Sequence, residues 1–500
     1  MNDPAGSSHF SRRKFLISSL LAGGYGALPK SALPANASSA ASLSQPTGAA
    51  DYTIRIGVAL IELAPDHIVS TITYNGQFPG PLLRLKEGQP VTVDIHNDTD
   101  TPEQLHWHGQ IVPVDVDGAA EEGTPYIPAR GSRRITFTPG PAGLRFYHTH
   151  IAAGNDLTRG LYNAQAGPVY IEPRREPGDY DRELFLTLKE FEPVFSRGGD
   201  MAQDFLAGDE VPELKEAGES AMKASLAEGK PHGYEVSYGA FAINGRMLGH
   251  GEPIRVKPNE RVLFHILNAS AGELRSLALP GHTFKVVALD GNPVPSPAEV
   301  PVLWIGTAER VSAIVEMNHP GVWVLGDLSD DDRERGIGIV VEYAGRKGEP
   351  RWKKPPPFHW DYTRFGKTGS EAPTPDEVIE MTFAKQNAAA DGFNLWTINN
   401  VPFSMKTNRT RRGLHRGQRY RLRMRNQSDD IHPLHLHRNS FELTKIAGKK
   451  TSGIMKDVVM LGGYQELEVD FVADQPGPNL FHCHQQLHMD YGFMFLFDVA

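Results

Sequence analysis

The sequence predicts an all-β chain of three β-sandwich domains, with a small helical insertion in the middle domain. Three observations lead there. Gly (50) and Pro (38) are abundant, favouring turns and short strands over long helices. One pattern of turns and strands recurs three times. Short strands with turn signals also follow one another at the density of β-sandwiches.

The repeat is an Asn turn, an extended stretch, a second turn, and an alternating strand that ends in Asn. The first copy holds Tyr74-Asn75-Gly76 and then residues 88–97. The second holds Ile243-Asn244-Gly245 and 259–268, and the third Ile398-Asn399-Asn400 and 417–426. Period-2 alternation sets one face of each strand on a core and the other in water. A later strand matches as well, at 131–137, 308–315 and 464–471. This spacing suits three β-domains rather than a solenoid. The domains are expected at 51–174, 175–345 and 377–500. Residues 346–376, with Lys353-Lys354-Pro355-Pro356-Pro357, read as a linker. Residues 199–230 are acidic, with Ala, Leu, Met and Glu at helical spacing, and predict one or two surface helices inserted in the middle domain.

The formal charge is -9 and no basic tract stands out beyond the N-terminus, which argues against nucleic acid as a partner. One cysteine, Cys483, rules out an intrachain disulfide. Residues 1–50 read as an address. Ser11-Arg12-Arg13-Lys14-Phe15-Leu16 precedes a weakly apolar run, and Ala35-Asn36-Ala37 offers a cleavage site. The twin arginines resemble a Tat-type signal, so the Tat export machinery is an expected partner and the location periplasmic or secreted. The apolar run is too short for a stable membrane anchor, and no later stretch is long enough.

The 20 histidines include four His-x-His pairs: His106/His108, His148/His150, His435/His437 and His482/His484. Two lie in the first unit and two in the third. In the middle unit a single His282 is expected at the equivalent place. Strand residues i and i+2 share a face, so each pair presents two imidazoles to one side. Cys483, between His482 and His484, points the other way, and one peptide can therefore serve two metal sites. His432 and His488 extend two of the motifs. A thiolate with two imidazoles is the donor set of a trigonal blue copper site. A structural zinc site would use four ligands and more sulfur.

These motifs, in this order and at the two ends of a three-unit chain, resemble the copper signatures of the multicopper oxidase family. The likeness is to its bacterial three-domain, laccase-like members and covers about residues 55–500. It implies three cupredoxin-like Greek-key domains and four copper ions: one type 1, one type 2 and two type 3. By that resemblance His432, Cys483 and His488 hold the type 1 copper, and His106 and His435 the type 2 copper. His108, His148, His150, His437, His482 and His484 hold the type 3 pair. The family's axial position, ten residues after the cysteine, is Phe493. Met494 should face away, which implies a mid-to-high potential. Asp117 matches a carboxylate that assists proton delivery to the cluster, and Asp490 matches a second family acid. An Asp-Gly turn and a structural hydrogen bond are their respective alternatives.

The implied activity is laccase-like. Single electrons from a small phenol or aromatic amine would enter through Cys483, and dioxygen would be reduced to water. One alternative is a metal-ion oxidase acting on Cu(I) or Fe(II) for copper tolerance. That group often carries a Met-rich segment, and this chain has 12 Met and no such cluster. An exported, non-catalytic binding protein of the same fold is another alternative, and the intact ligand set argues against it.

Overall fold

The computed structural model describes residues 48–174, 178–197, 205–367, 369 and 371–500. The proposed export signal falls outside the described residues up to position 47, as do 199–204 of the expected insertion.

Each repeat builds the same four-strand core. In the first copy the order is His67–Tyr74, Tyr52–Ala64, Val91–Asn97, Ser132–Phe137. The second runs Glu235–Ile243, Arg182–Ser196, Arg261–Asn268, Arg310–Glu316, and the third Phe393–Ile398, Glu377–Ala390, Arg419–Asn426, Glu466–Val472. The two inner strands are parallel in all three, and the outer strands pair antiparallel to them. These sheets lie in β-sandwiches of cupredoxin type, and the all-β reading holds.

The repeated asparagines explain why three sequences converge on one geometry. Asn75, Asn244 and Asn399 have φ of 54, 51 and 52°, a left-handed conformation that Asn tolerates better than most residues. Each Oδ1 accepts a backbone N–H from the neighbouring strand: Arg55 at 2.6 Å, Thr187 at 2.8 Å and Thr382 at 2.8 Å. Each Nδ2 donates to a carbonyl two residues earlier: Thr53, Phe185 and Glu380. The strand-end Asn97, Asn268 and Asn426 also act alike. Their Oδ1 atoms accept from Thr99, Ser270 and Ser428, and their Nδ2 atoms reach the carbonyls of Ile127, Ile305 and Gly462.

Counting from those strand ends corrects one expectation. The ninth and eleventh residues are His106 and His108 in the first unit, and His435 and His437 in the third. In the middle unit they are Leu277 and Leu279, both buried. His282 is therefore not the counterpart of a ligand pair. Its ring bonds the Pro280 carbonyl and the Tyr343 hydroxyl.

The insertion forms one described helix, Pro212–Ala227, with Pro at its start, where the missing N–H costs nothing. It packs on the strand Glu377–Ala390 of the third unit, and Val211 N–H donates to the Tyr464 carbonyl at 2.7 Å. In the stretch 346–376, Trp360, Tyr362 and Phe365 are fully buried.

Candidate metal centre

The four His-x-His pairs sit on the second sheets of the first and third units. In the first, His106–His108 pairs with Gly143–His148, so that His106 lies directly opposite His148. In the third, His432–Leu436 pairs with Gly477–Cys483, and His435 lies opposite His482. The two sheets bring eight imidazoles together, all buried.

Ring positions divide the eight. His108, His148 and His484 form one trio, with ring centroids 5.0–5.5 Å apart. His150, His437 and His482 form another, at 4.9–5.4 Å. His106 and His435, 5.9 Å apart, complete the cluster. Strand neighbours His148 and His150 thus serve different trios, as do His482 and His484.

Hydrogen bonds fix which nitrogen faces inward. The Nδ1 atoms of His106, His148, His435 and His482 bond the carbonyls of Asp117, Thr149, Asp457 and Cys483 at 2.7–2.9 Å. His437 Nδ1 bonds the Asp117 carboxylate at 2.9 Å. The Nε2 atoms of His106, His150, His435 and His484 are buried with no partner among the described residues. An orphaned buried nitrogen is costly unless a ligand completes it. Burial also pushes the pKa of most of these imidazoles well below the ordinary value, keeping them neutral and fit to ligate. For His150 burial acts the same way, but Glu121, whose Oε2 lies 3.5 Å from His150 Nδ1, overrides it and raises the pKa.

The second constellation lies on the opposite face of the Cys483 strand. Cys483 Sγ is 3.6 Å from His432 Nδ1 and 3.5 Å from His488 Nδ1, and the two nitrogens are 3.1 Å apart. An ion at the centre of that triangle would lie roughly 2 Å from each donor, the length of ordinary metal–nitrogen and metal–sulfur bonds. Burial raises the Cys483 thiol pKa, so thiolate forms there in exchange for a bound cation. Phe493 is fully buried, with its ring 4.7 Å from that of His432. Met494 belongs to a separate apolar cluster with Leu480, Met489 and Leu496. Trp396 stacks on His488 at 4.0 Å. The soft set of one thiolate and two imidazoles fits copper, and so does the imidazole cluster.

The acids divide. Asp117 touches the cluster through His437 and lies 3.0 Å from His106 Nδ1. It closes the short helical turn Val114–Asp117, and Gly118 beside it has φ 96°, so the Asp-Gly turn and the cluster contact coexist. Asp490 makes none of these contacts. It accepts from Ala153 and Gly154 N–H and from Gln486, tying the loop after His150 to the helix that carries His488. Burial lifts its pKa to about 6. Sequence reasoning missed Glu121, Glu122, Asp457, Arg310 and Lys385. Glu122 lies 3.7 Å from His437 Nδ1, and burial, then the nearby Asp117, raises its pKa well above the usual carboxylate range.

Comparison with known proteins agrees with this geometry. Three family models, each described as multicopper oxidase, match residues 58–176, 215–337 and 371–500. The multicopper oxidase MmcO of Mycobacterium tuberculosis is 30% identical across 96% of this chain and 94% of its own length. This chain belongs to the multicopper oxidase family. It is an oxidoreductase that uses copper, dioxygen and a reducing substrate. Among solved structures, the laccase of Botrytis aclada superposes with a TM-score of 0.69 at 18% identity, covering 89% of this chain and 87% of that one. A metallo-oxidase of Campylobacter jejuni superposes at 0.65 with 21% identity, covering 90% and 91%. Both likenesses establish the shared fold.

Proposed function

We propose that this multicopper oxidase is laccase-type, taking single electrons from phenols or aromatic amines. His432, Cys483 and His488 would hold the electron-accepting copper. His106 and His435 would hold the type 2 ion, and the two trios the type 3 pair, making four in all. Bound copper supplies the redox chemistry: one-electron uptake at the thiolate site and four-electron reduction of dioxygen at the cluster.

The chain's own contribution is geometry. Cys483 is covalently joined to His482 and His484, one for each trio, so the path between the sites is a few bonds. The side chains of both sites are buried from bulk solvent. Asp117 holds His437 and stands ready to move protons, of which dioxygen reduction consumes four.

The observation that carries the substrate class is Lys385. Its Nζ lies 2.5 Å from Asp429 and 3.0 Å from Asp430, two carboxylates close to the copper site of Cys483. Asp430 also accepts from Trp396 Nε1 at 3.2 Å. The ammonium offsets one of the two carboxylate charges and so weakens their attraction for a metal cation, which favours an organic donor near the Trp396–His488 stack. The second reading is oxidation of Cu(I) or Fe(II). It is favoured by Asp429, whose side chain is 33% exposed. Comparing kcat/KM for a substituted phenol with that for Cu(I) and Fe(II) tests the choice. Preference for the phenol supports the laccase reading, and preference for either ion overturns it.

Residues 1–50 would direct Tat export to the periplasm or beyond. Replacing Arg12 and Arg13 by Lys should hold the protein in the cytoplasm, and unaltered export would refute the signal.

A further inference from the structure

The middle unit carries no copper ligand in this assignment, with Leu277 and Leu279 at the positions of the His pairs. It nevertheless reaches the cluster. His108 is reversed relative to the histidines that present Nε2. Its Nε2 bonds Asp457 Oδ1 at 3.0 Å, and its Nδ1 converges on His148 Nε2 at 3.4 Å. Asp457 is fully buried and belongs to the third unit. Arg310 of the middle unit grips it bidentately, Nη1 to Oδ1 and Nη2 to Oδ2, both at 2.6 Å. Arg145 of the first unit adds a bond to Oδ2 at 3.1 Å.

We propose that Asp457, anchored by Arg310, is a positioning residue that fixes His108 with Nδ1 toward the type 3 pair. This rests on the assignment of the eight histidines to a trinuclear copper cluster.

Asp457 could itself be taken for a ligand, since it lies within ligand distance of His108 and His435. Its surroundings argue otherwise. Four donor contacts from three side chains occupy its two oxygens, and two guanidiniums repel a cation from that side. A carboxylate so held can only accept from His108, which fixes the ring's tautomer and plane. The Asp457 carbonyl meanwhile accepts from His435 Nδ1 at 2.7 Å, so one residue orients two cluster histidines. Arg310 is committed in turn: its guanidinium also donates to the carbonyls of Leu144, Ala308 and Asp290. Gly109, next to His108, has φ 76°, and a Cβ there would lie 2.7 Å from both Arg310 Nη2 and Asp457 Oδ2. The chain leaves room for this ion pair at the cost of a side chain.

The test compares copper-loaded wild type with Asp457→Asn, Asp457→Ala and Arg310→Lys. Copper per chain, the visible absorption of the Cys483 site and the near-ultraviolet absorption of the coupled pair are read together. The visible band reports on a site that Asp457 does not touch, so it serves as the folding control. Both Asp457 variants should keep the visible band. Their near-ultraviolet band should fall, and copper should bind to the pair about 10–100-fold more weakly. Arg310→Lys, which keeps the charge and loses the fork, should fall between them and wild type. An unchanged near-ultraviolet band and copper content in Asp457→Ala would overturn the inference. So would equal loss of both bands in the isosteric Asp457→Asn, which would mark a general structural role. Wild type that binds copper without near-ultraviolet absorption would refute the cluster assignment, and this inference with it.

Discussion

Asp117 crosses from the first unit to the third: its Oδ2 lies 2.9 Å from His437 Nδ1, while its backbone carbonyl accepts from His106 Nδ1 at 2.8 Å. One residue thereby orients a histidine from each side of the cluster, with its carboxylate beside the site proposed to reduce dioxygen.

Replacing that carboxylate should therefore separate electron entry from dioxygen reduction. In Asp117→Ala the Cys483 site should still accept electrons and keep its colour. Steady-state oxygen consumption should fall about 100-fold or more, the usual contribution of a proton-transferring group. Asp117→Asn keeps the hydrogen bond to His437 and loses the proton function, so a comparable fall there assigns the loss to protons rather than orientation. Oxygen-electrode rates and stopped-flow reoxidation would measure both, and full turnover by Asp117→Asn would contradict the role.

Phe493 offers no donor atom beside His432, and Met494 points into another cluster. Phe493→Met would place a thioether near the thiolate site and should lower its reduction potential, because the axial ligand tunes it. Redox titration of the visible band reads the shift. An unchanged or raised potential would show that position 493 does not face the metal.

Lys385 predicts the direction of a specificity change. Lys385→Met leaves Asp430 buried without its counter-ion, a loss of about 3–5 kcal/mol where one partner of a buried pair is removed. It also frees two carboxylates beside the proposed electron-entry site. The ratio of kcat/KM for Cu(I) to that for a phenol should rise, while thermal stability falls. A ratio that stays constant would remove Lys385 from the specificity argument.

Glu103, which is not among the proposed ligands, gives a pH signature of its own. The residue is 1% exposed, and burial raises its carboxyl pKa to about 7 despite bonding from Gln165 and the charge of Arg159. Because the folded pKa lies above the unfolded one, the folded state is favoured most at acidic pH. That advantage is lost as the pH rises from about 4.5 through 7. Glu103→Gln should therefore melt higher than wild type at about pH 8 and alike at about pH 4, with a difference of about 3 kcal/mol. Metal-free protein scanned by calorimetry at both pH values tests this, and a difference that grows toward acid would reverse the sign.

The fold and the clustering of the histidines were legible because both are periodic. Asn75, Asn244 and Asn399 recur at the same turn, and the His pairs obey the two-residue repeat of a strand. The missed residues have no such pattern. Asp457 meets His108 across 349 positions and Arg310 across 147. Glu122 reaches Leu480 across 358. Each is a single charged side chain whose partner is set by the packing of separate units. His282 misled because a lone histidine at roughly the right distance along the middle repeat looks like a partial motif, whereas counting from the strand-end Asn268 leads to Leu277 and Leu279. Asp490 matched a family position, but its carboxylate is satisfied by the N–H groups of Ala153 and Gly154 and by Gln486.

In the proposed assignment Cys483 serves one copper while His482 and His484 serve others. Cys483→Ser, copper-loaded and compared with wild type by absorption and copper analysis, tests that most directly. The prediction is loss of the visible band, of one ion's worth of copper and of donor oxidation, with the near-ultraviolet band retained. Survival of the visible band, or disappearance of both bands together in folded protein, would contradict it.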